Sequence, residues 1–527
     1  MKNSNYIKYA FGLLLAVSVV ISCSDDFYTN ELKGGESPDT FFQTDQGALQ
    51  GVLAGYMTLG VTYSNLWETP WTYRLMMGDE VTAGGIRRAD KLSYERLTEY
   101  DFDANNAHSS KMFNNLFQGI GRVNVLLDNM PTDSPEREKI AGEAKFLRAY
   151  NYFDLVTLFG ENIPLVTSEL NPDEYQQLPA EQGTIWAQIE QDLIDAISVL
   201  PLKSEYSQAN KYRANRGAAQ ALLGKAYLYQ QKYALAAEQL DLAIISGEFD
   251  LAPEYDRIWR KDQEFGIESL FELSYTEDKA ITLGGYNWGE AKFNSDNVLM
   301  LQFAPRIESF DTMAGINQEP GFGCGYPLPG LYDAYLAEGD DVRRQGTMIT
   351  EEEFLAGGVT FKVPSNEIYG YHGLIRSKLA QYLDEAKGPV ITLNNGTNWR
   401  LLRFGDVLLM AAEAHVLGGG DLGKARTYIN RVRTRVELAN TTAADGDLMD
   451  AIIKERRLEL SYEGYRFPDL IRWNDAGVIS DAELASTLAA VTNEIPLRKP
   501  FEEKFKLAPI PQIEINTNPN IEQNPGY

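Results

Sequence analysis

One stretch of the chain, residues 214–246, carries a pattern that few folds satisfy. Its residues at tetratricopeptide positions are Leu223, Gly224, Tyr227, Tyr233, Ala236, Leu240 and Ala243. This spacing predicts a pair of helices, a unit of about 34 residues. Gly224 and Ala236 allow the two helices to approach closely, because neither has a large side chain. One helix pair cannot bury its apolar face alone, so the pattern predicts further pairs stacked against the first.

A second segment, residues 401–473, matches the same template less tightly. Ala412 and His415 take the glycine and tyrosine positions of the first unit. A break formed by Gly418, Gly419 and Gly420 comes next. Because of it, the residues of the second helix stand one position later than in the template. Glycine turns the chain there at low steric cost. Since His415 falls on the packing face of the unit, we interpret it as a core residue and not as a ligand.

Four other segments have the apolar periodicity of helices, namely residues 45–59, 113–127, 135–160 and 184–200. Ser134 can cap the third of these, with Pro135 at its first position. Residues 63–90 differ, because their aromatic residues are mixed with Gly, Pro and Thr. We therefore predict an ordered loop over 63–90 in place of a core helix.

The segment between the two repeat units, residues 247–400, is rich in Gly, Asn and aromatic residues. Within it, Phe271, Leu273 and Tyr275 alternate with polar residues, which indicates a strand. The predicted fold class is mainly α, a tetratricopeptide-like scaffold that carries an irregular, loop-rich lobe with short strands. Loops held by a rigid scaffold are where binding residues usually lie.

Residues 448–463 are predicted to form a helix. Arg456 lies on its otherwise apolar face, four residues from both Ile452 and Leu460. A buried charge needs a partner. We expect Glu459 and Glu463 to supply it, in a cluster that extends to Arg466 and Arg472. The favoured interpretation is an ion network that locks this helix to the aromatic, arginine-rich segment after it, residues 464–473. We call this segment the elbow. A ligand site at the same cluster is the alternative.

The chemistry-bearing residues do not point to an enzyme. The net charge is −27, which disfavours nucleic acid, because binding to phosphates requires a basic surface. The three histidines are far apart in sequence, and no metalloprotease, CxxC or nucleophile-elbow motif is present. Residues 101–106 resemble the start of a calcium loop, but Asn106 stands where that loop has glycine. We expect no catalytic residue, no metal and no cofactor.

The first residues have the features of an export signal. Lys2 and Lys8 precede a short apolar run that ends at Ser22-Cys23. A small residue before a cysteine after such a run resembles the lipobox of bacterial lipoproteins. Cleavage after residue 22 would leave Cys23 as a lipidated N-terminus, and several acyl chains anchor stably. An ordinary signal peptide is the alternative. Cys324 is the only other cysteine, so the mature chain has no intrachain disulfide.

Five segments carry a family resemblance: "EAKFLRAYNYFDLVTLFGENIPLV", "GAAQALLGKAYLYQQKYALAA", "LRFGDVLLMAAEA" with "ARTYINRVRTR", "IIKERRLELSYEGYRFPDLIRW", and the C-terminal "FKLAPIPQIEINTNPNIEQNPGY". Together they resemble the SusD/RagB family of outer-membrane nutrient-binding lipoproteins. Pro468 departs from the family, which often has an aromatic residue there. The resemblance implies a signal peptide over 1–22, an N-terminal region over 23–246 and a C-terminal region over 247–527. The last comprises a lobe (247–400), repeat helices (401–473) and a terminal segment (474–527).

The resemblance also implies a function. It implies about four helix pairs that face a SusC-like, TonB-dependent transporter. It also implies that the lipoprotein is anchored in the outer membrane and faces the cell exterior. Glycan capture on the irregular lobe, without catalysis, is the expected activity. Peptide or another nutrient as cargo, a hydrolase on a helical scaffold, and a structural repeat adaptor are the alternatives.

Carbohydrate recognition has a compositional signature. Sugar rings stack their apolar C–H faces on aromatic rings, and their hydroxyls need amide, guanidinium or carboxylate partners. Two loop-like stretches, 67–88 and 284–330, offer this combination. The candidate glycan-binding residues are Trp67, Trp71, Arg74, Asp79, Arg87, Tyr286, Asn287, Trp288, Phe322 and Tyr326.

Overall fold

A computed structural model describes residues 37–64, 67–276, 287–288, 291–292, 297–311, 313–385 and 395–527. The predicted signal peptide, the predicted lipidation site Cys23 and the candidate Tyr286 lie outside these ranges. Asn287 and Trp288 are described as the backbone of a short strand.

The described ranges are mainly helical. The α-helices are α1 (Pro38–Phe41), α2 (Asp45–Ser64), α3 (Pro70–Met77), α4 (Leu92–Thr98), α5 (Ala107–Asn129), α6 (Pro135–Phe159), α7 (Thr184–Val199), α8 (Arg216–Tyr229), α9 (Tyr233–Ile245), α10 (Val298–Gln302), α11 (Pro329–Glu338), α12 (Asp341–Thr347), α13 (Glu351–Ala356), α14 (Phe404–Leu417), α15 (Leu422–Arg435), α16 (Leu448–Glu459), α17 (Arg466–Asp475), α18 (Asp481–Ala489) and α19 (Gln512–Thr517).

The strands are short. They are β1 (Ser269–Leu273), β2 (Asn287–Trp288), β3 (Ala291–Lys292), β4 (Met348–Thr350), β5 (Leu374–Arg376) and β6 (Trp399–Arg403). They pair antiparallel as β1–β6, β2–β3 and β4–β5. The strand predicted around Phe271 is therefore present. It is buried on both faces, because Glu272 turns inward and pairs with Arg400 at 3.4 Å.

The scaffold is a stack of four helix pairs: α2 with α5, α6 with α7, α8 with α9, and α14 with α15. Neighbouring pairs pack together through α5 and α6, α7 and α8, and α9 and α14. Helix α16 then packs on α14. The predicted mainly α class and its tetratricopeptide-like repeats are confirmed, and the lobe lies between the third and fourth pairs in sequence.

Local sequence signals explain where the scaffold helices begin and end. Ser134 caps α6, with its hydroxyl accepting from the Arg137 backbone N–H, and Gly160 ends that helix with a φ of 75°. His415 is buried at the end of α14, and its Nε2 lies 3.2 Å from the Asp241 carboxylate. The interpretation of His415 as a structural residue is confirmed.

The prediction of a loop over 63–90 was wrong for the start and the middle of this segment, where the structure has helices. Helix α2 extends through Ser64, and α3 occupies Pro70–Met77. A capping box starts α3, because the Thr69 hydroxyl accepts from the Thr72 N–H at 3.0 Å and the Thr72 hydroxyl accepts from the Thr69 N–H at 2.9 Å. The order Thr-Pro-x-Thr at residues 69–72 is a helix-start signal. The prediction of a loop gave more weight to the aromatic composition of the segment.

The partners predicted for Arg456 were also wrong, although its burial and its role as a lock were right. Its guanidinium pairs with Asp406 at 2.8 Å and Asp469 at 2.8 Å, which tie α16 to α14 and to the elbow helix α17. Glu459 and Glu463 instead pair with Arg403, at 2.6 and 2.7 Å. Proximity along the helix therefore did not identify the partners, because acids from other elements lie closer to the guanidinium.

The close approach inferred at Gly224 yields a stability prediction. A Cβ added there would lie 2.5 Å from Leu240 Cγ, inside a fully buried helix contact. Gly224→Ala is expected to lower the free energy of unfolding by about 1–3 kcal/mol, since an overpacked core must shift. Urea denaturation measures the difference.

Gly121 provides the matched control, because it lies inside α5 with nothing within 4 Å of an added Cβ. Gly121→Ala is expected to stabilise by about 0.5–1 kcal/mol through helix propensity. Equal stabilisation by both substitutions would contradict the close packing of α8 on α9.

Candidate functional site

Two candidate aromatic residues meet at the surface. Trp67 and Phe322 are each half-buried, and their ring centroids lie 5.5 Å apart at an interplanar angle of 38°. Lys91 Nζ lies 3.8 Å from the Trp67 ring centroid and 5.5 Å from that of Phe322. We call Trp67, Phe322 and Lys91 the aromatic surface. It joins two stretches that are about 250 residues apart in the chain.

Glycines bring these two stretches together. Bridges pair Val81 with Pro327 and Gly84 with Cys324, and the Gly85 N–H donates to the Gly323 carbonyl at 2.7 Å. Gly84 has a φ of 66°, and a Cβ there would lie 2.1 Å from the Gly323 oxygen. A side chain at Gly84 would therefore push apart the segments that carry Trp67 and Phe322.

Polar groups flank the aromatic surface. The Arg306 guanidinium lies 5.7 Å from the Phe322 ring centroid, donates to the Phe322 carbonyl at 3.1 Å and pairs with Glu308 at 2.6 Å. It also lies 3.7 Å from the Asp90 carboxylate. The candidate Arg87 is exposed in the adjoining loop. The Arg306 guanidinium is buried and held by these partners, so the polar groups open beside the two half-buried rings are the Lys91 ammonium and the half-exposed Glu308 carboxylate.

The backbone of Trp67 is held in place by Tyr94. The Tyr94 hydroxyl donates to the Trp67 carbonyl at 2.6 Å, and it also contacts the side-chain oxygen of Gln302. The Tyr94 ring packs on that of His108, with centroids 5.4 Å apart. Burial lowers the pKa of His108 to about 4, so its ring is neutral at physiological pH. The Tyr94 and His108 side chains are therefore both uncharged at that pH.

The structure removes Trp71 and Tyr326 from the set of surface residues. Trp71 is 2% exposed, lies 4.8 Å from the rings of both Phe303 and Trp399, and donates its indole N–H to the Tyr462 carbonyl at 2.8 Å. Tyr326 is buried in the separate core of the lobe. Neither ring has an open face for a ligand, so both expectations are corrected to core packing.

Asp79 is likewise a buried structural residue. It pairs with Arg466 at 3.0 Å and with Arg457 at 3.2 Å, which joins the end of α3 to α16 and α17. Burial alone would raise the pKa of Asp79, but the two guanidinium groups outweigh it and lower the pKa to about 2. Its carboxylate is thus committed to the scaffold and is not available to a sugar hydroxyl.

Arg74 lies away from the aromatic surface. Its guanidinium donates to Asp154 at 2.8 Å and to the Thr157 hydroxyl at 3.1 Å, on the wall of a cavity between α6, α17 and the C-terminal segment. The structure thus brings together Trp67 and Phe322, which were predicted in two separate stretches, with Arg87 in the loop after Gly85. Trp71, Asp79 and Tyr326 lie in the core instead, and Arg74 lies at a cavity. Lys91 and Arg306 were not predicted, because their approach to the rings has no signal in local sequence.

Within the described residues, no three His, Cys, Asp or Glu side chains are grouped so that they could hold a metal ion. Among the described helices, none combines the length and the apolar character needed to cross a membrane.

Comparison with known proteins identifies the family. One family profile, described as "SusD family", matches residues 315–527, and another, described as "Starch-binding associating with outer membrane", matches residues 46–228. Starch-binding protein SusD of Bacteroides thetaiotaomicron is 25% identical, over 99% of this chain and 100% of its own. The chain belongs to the SusD family. The resemblance inferred from the sequence is thus confirmed.

Solved structures of SusD-family members share the fold. A laminarin binding SusD-like protein is 29% identical with a TM-score of 0.78, over 92% of this chain and 100% of that one. Surface glycan-binding protein A from Bacteroides thetaiotaomicron, solved in complex with laminarihexaose, is 24% identical with a TM-score of 0.77, over 92% of this chain and 100% of that one. The similarity extends across the repeats and the lobe.

The buried Asp79 gives a pH-dependent prediction for this SusD-family scaffold. Asp79→Asn is expected to lower the free energy of unfolding by about 3 kcal/mol at neutral pH, because two arginines lose their carboxylate. Since the folded-state pKa is lowered, the stabilisation is complete above the unfolded-state value of about 4 and is lost as pH falls through about 2. Urea denaturation of both proteins should show a difference that shrinks over that window.

Asp133→Asn is the control, because the Asp133 side chain is 67% exposed in its pair with Arg137. It is expected to change the free energy of unfolding by less than about 0.5 kcal/mol. A loss at Asp79 that is as small as this control, or that is independent of pH, would contradict the buried ion pair.

Proposed function

We propose that this protein is a surface lipoprotein that captures oligo- or polysaccharide and delivers it to a SusC-like TonB-dependent transporter in the outer membrane. The observation that carries the proposal is the aromatic surface, with Trp67 and Phe322 partly open beside Lys91 and Arg306. A sugar ring can place its C–H face on either ring while its hydroxyls contact the flanking charges. The activity is binding without catalysis.

Relatives support a carbohydrate as the cargo. One is named a starch-binding protein, one a laminarin binding protein, and one was solved with laminarihexaose. Arg87 and the residues of the second stretch, Tyr286, Asn287 and Trp288, remain proposed glycan-binding residues. Cys23 is the proposed lipid attachment site, with the chain facing the cell exterior. Peptide cargo is the outcome that a binding screen would have to exclude.

Exposed apolar side chains on the repeats support a partner on the scaffold. Leu235, Leu242 and Ile245 form a stripe along α9, and Ile194 is exposed on α7. These residues lie on the second and third helix pairs, whereas the aromatic surface is built by loops outside the pairs. Exposed apolar patches often mark protein interfaces. We assign this stripe to the transporter-facing side.

The first experiment tests the aromatic surface. Purified protein is screened on affinity gels that contain different polysaccharides and against a peptide library, and the retained ligand is titrated by calorimetry. Trp67→Ala and Phe322→Ala are each expected to weaken polysaccharide binding about tenfold, because each removes one stacking ring.

Tyr175→Ala is the matched control, because Tyr175 is an exposed aromatic residue outside the aromatic surface. It is expected to leave the affinity unchanged. Equal affinity in all three variants would overturn the assignment, and retention of peptides alone would replace carbohydrate as the cargo.

The second experiment tests the transporter-facing side in cells. Leu242→Glu combined with Ile245→Glu is expected to abolish uptake and co-purification with the transporter, while polysaccharide binding by the purified variant stays unchanged. The stripe loses its apolar contact with the partner, but the aromatic surface is intact.

Leu178→Glu serves as the control, since Leu178 is exposed outside the repeat helices and should tolerate the charge. Normal uptake by the stripe variant would contradict this interface.

A further inference from the structure

Lys91 is a cation without an anionic partner. Its backbone carbonyl accepts from the Tyr94 and Glu95 N–H groups, at 2.9 and 3.0 Å, which fixes its backbone at the start of α4. Its half-buried side chain makes no ion pair within the described part of the chain. A partly buried lysine normally finds a carboxylate, all the more in a chain with 75 acidic residues against 48 Lys and Arg.

The carboxylates near Lys91 are engaged elsewhere. Four of them, on adjoining elements, are each held by another group, namely Glu68 by Lys111, Asp90 by the Ile86 N–H, Glu95 by the Ala89 N–H and Glu308 by Arg306. Arg87 is exposed in the same loop and likewise makes no ion pair with a described residue. Two uncompensated cations, four residues apart, therefore belong to the loop that borders the rings.

The Lys91 ammonium occupies the place that a stacked ligand would need. Its Nζ lies 3.8 Å from the Trp67 ring centroid and 5.5 Å from that of Phe322. Both distances are within the range of cation–π attraction, whose strength is comparable with that of aromatic stacking. A sugar ring that stacks on this face of Trp67 has to displace the ammonium, because both occupy the space directly over the ring.

The ammonium can be displaced because only the backbone of Lys91 is fixed. Its four-carbon stem is flexible and lets the charged end move while α4 stays in place. Since the neighbouring carboxylates are engaged, the displaced ammonium exchanges the rings for water unless the ligand itself supplies an anion. A neutral ligand therefore loses the cation–π contact without compensation, whereas an anionic ligand replaces that contact with an ion pair.

We infer that Lys91 determines the charge preference of the aromatic surface, which favours an anionic glycan over a neutral one. The inference rests on the proposed function, because it concerns the surface to which cargo capture is assigned. In the free protein the ammonium covers a ring face of Trp67, and in the complex it pairs with a carboxylate or sulfate of the ligand. Lys91 is thus a specificity-determining residue.

The test uses the full-length protein and matched probes. Laminarihexaose, maltohexaose and cellohexaose are titrated by calorimetry, each beside the same oligosaccharide oxidised at C6 to carboxylates. The buffer contains about 0.15 M salt, which screens the distant acidic residues. An oxidised probe is expected to bind about two- to fivefold more tightly than its neutral parent. Lys91→Met should tighten the neutral probe about two- to fivefold, because no cation–π contact is lost, and should bring the two affinities together.

Two further variants are the controls. Lys91→Arg keeps the charge and should retain the preference for the oxidised probe. Lys139→Met removes a half-exposed lysine of α6 and should leave both affinities unchanged. A neutral-probe affinity that Lys91→Met does not change, or a preference that survives in Lys91→Met, would overturn the inference alone. Unchanged affinities in Trp67→Ala, or no binding of any probe, would overturn the proposed function together with the inference.

A second measurement needs no ligand. Reductive methylation adds ¹³C-methyl groups to the lysine amines and keeps their charge. The Lys91 methyl resonance is assigned by its absence in Lys91→Arg. It is expected upfield of the other lysine resonances, because of the ring current of Trp67, and Trp67→Ala should abolish the shift. A Lys91 resonance at the ordinary lysine position would overturn the inference, whatever the probes show.

Discussion

The fold depends on one buried guanidinium, that of Arg403. It is fully buried at the end of β6 and pairs with Glu463 at 2.7 Å, Glu459 at 2.6 Å and Glu268 at 2.8 Å. Glu268 precedes the partner strand β1, and the other two acids lie at the end of α16 and just beyond it. The Arg403 guanidinium thus joins the lobe to the end of α16, and Arg435 bridges Glu268 and Glu459 beside it, at 3.0 and 2.5 Å. A buried charge of this kind is tolerated only when it is paired. Removing one carboxylate would leave buried charge uncompensated and would lower the free energy of unfolding.

The two tasks that we propose for the molecule fall on different parts of the chain. The repeats form a rigid stack whose apolar stripe on α9 is free for a partner, whereas the aromatic surface lies on loops that the stack holds in place. Gly84 and Gly323 bring those loops together through backbone contacts. Binding loops can vary in such an arrangement without disturbing the packed core. The most strongly patterned residues therefore identify the family, and we propose that the weakly patterned ones contact the cargo.

The sequence predicted the periodic parts of the fold because periodicity is local. The helices at 135–160 and 216–245 follow from caps and apolar spacing within a few turns. Trp67 and Trp71 show the limit of that reasoning. They are four residues apart in the same aromatic segment, yet one is partly open and the other is enclosed by Phe303 and Trp399. Only tertiary contacts distinguish them. The same holds for Arg456, whose partner Asp406 is 50 residues away.

We propose that cargo contacts the loops and not the repeat helices. Hydrogen–deuterium exchange of the full-length protein, with and without the polysaccharide retained in the affinity screen, tests it most directly. We expect slowed exchange in peptides that cover residues 67–91 and 321–326, with α8, α9, α14 and α15 unchanged. Protection confined to those repeat helices, with no change in the two loop segments, would contradict it.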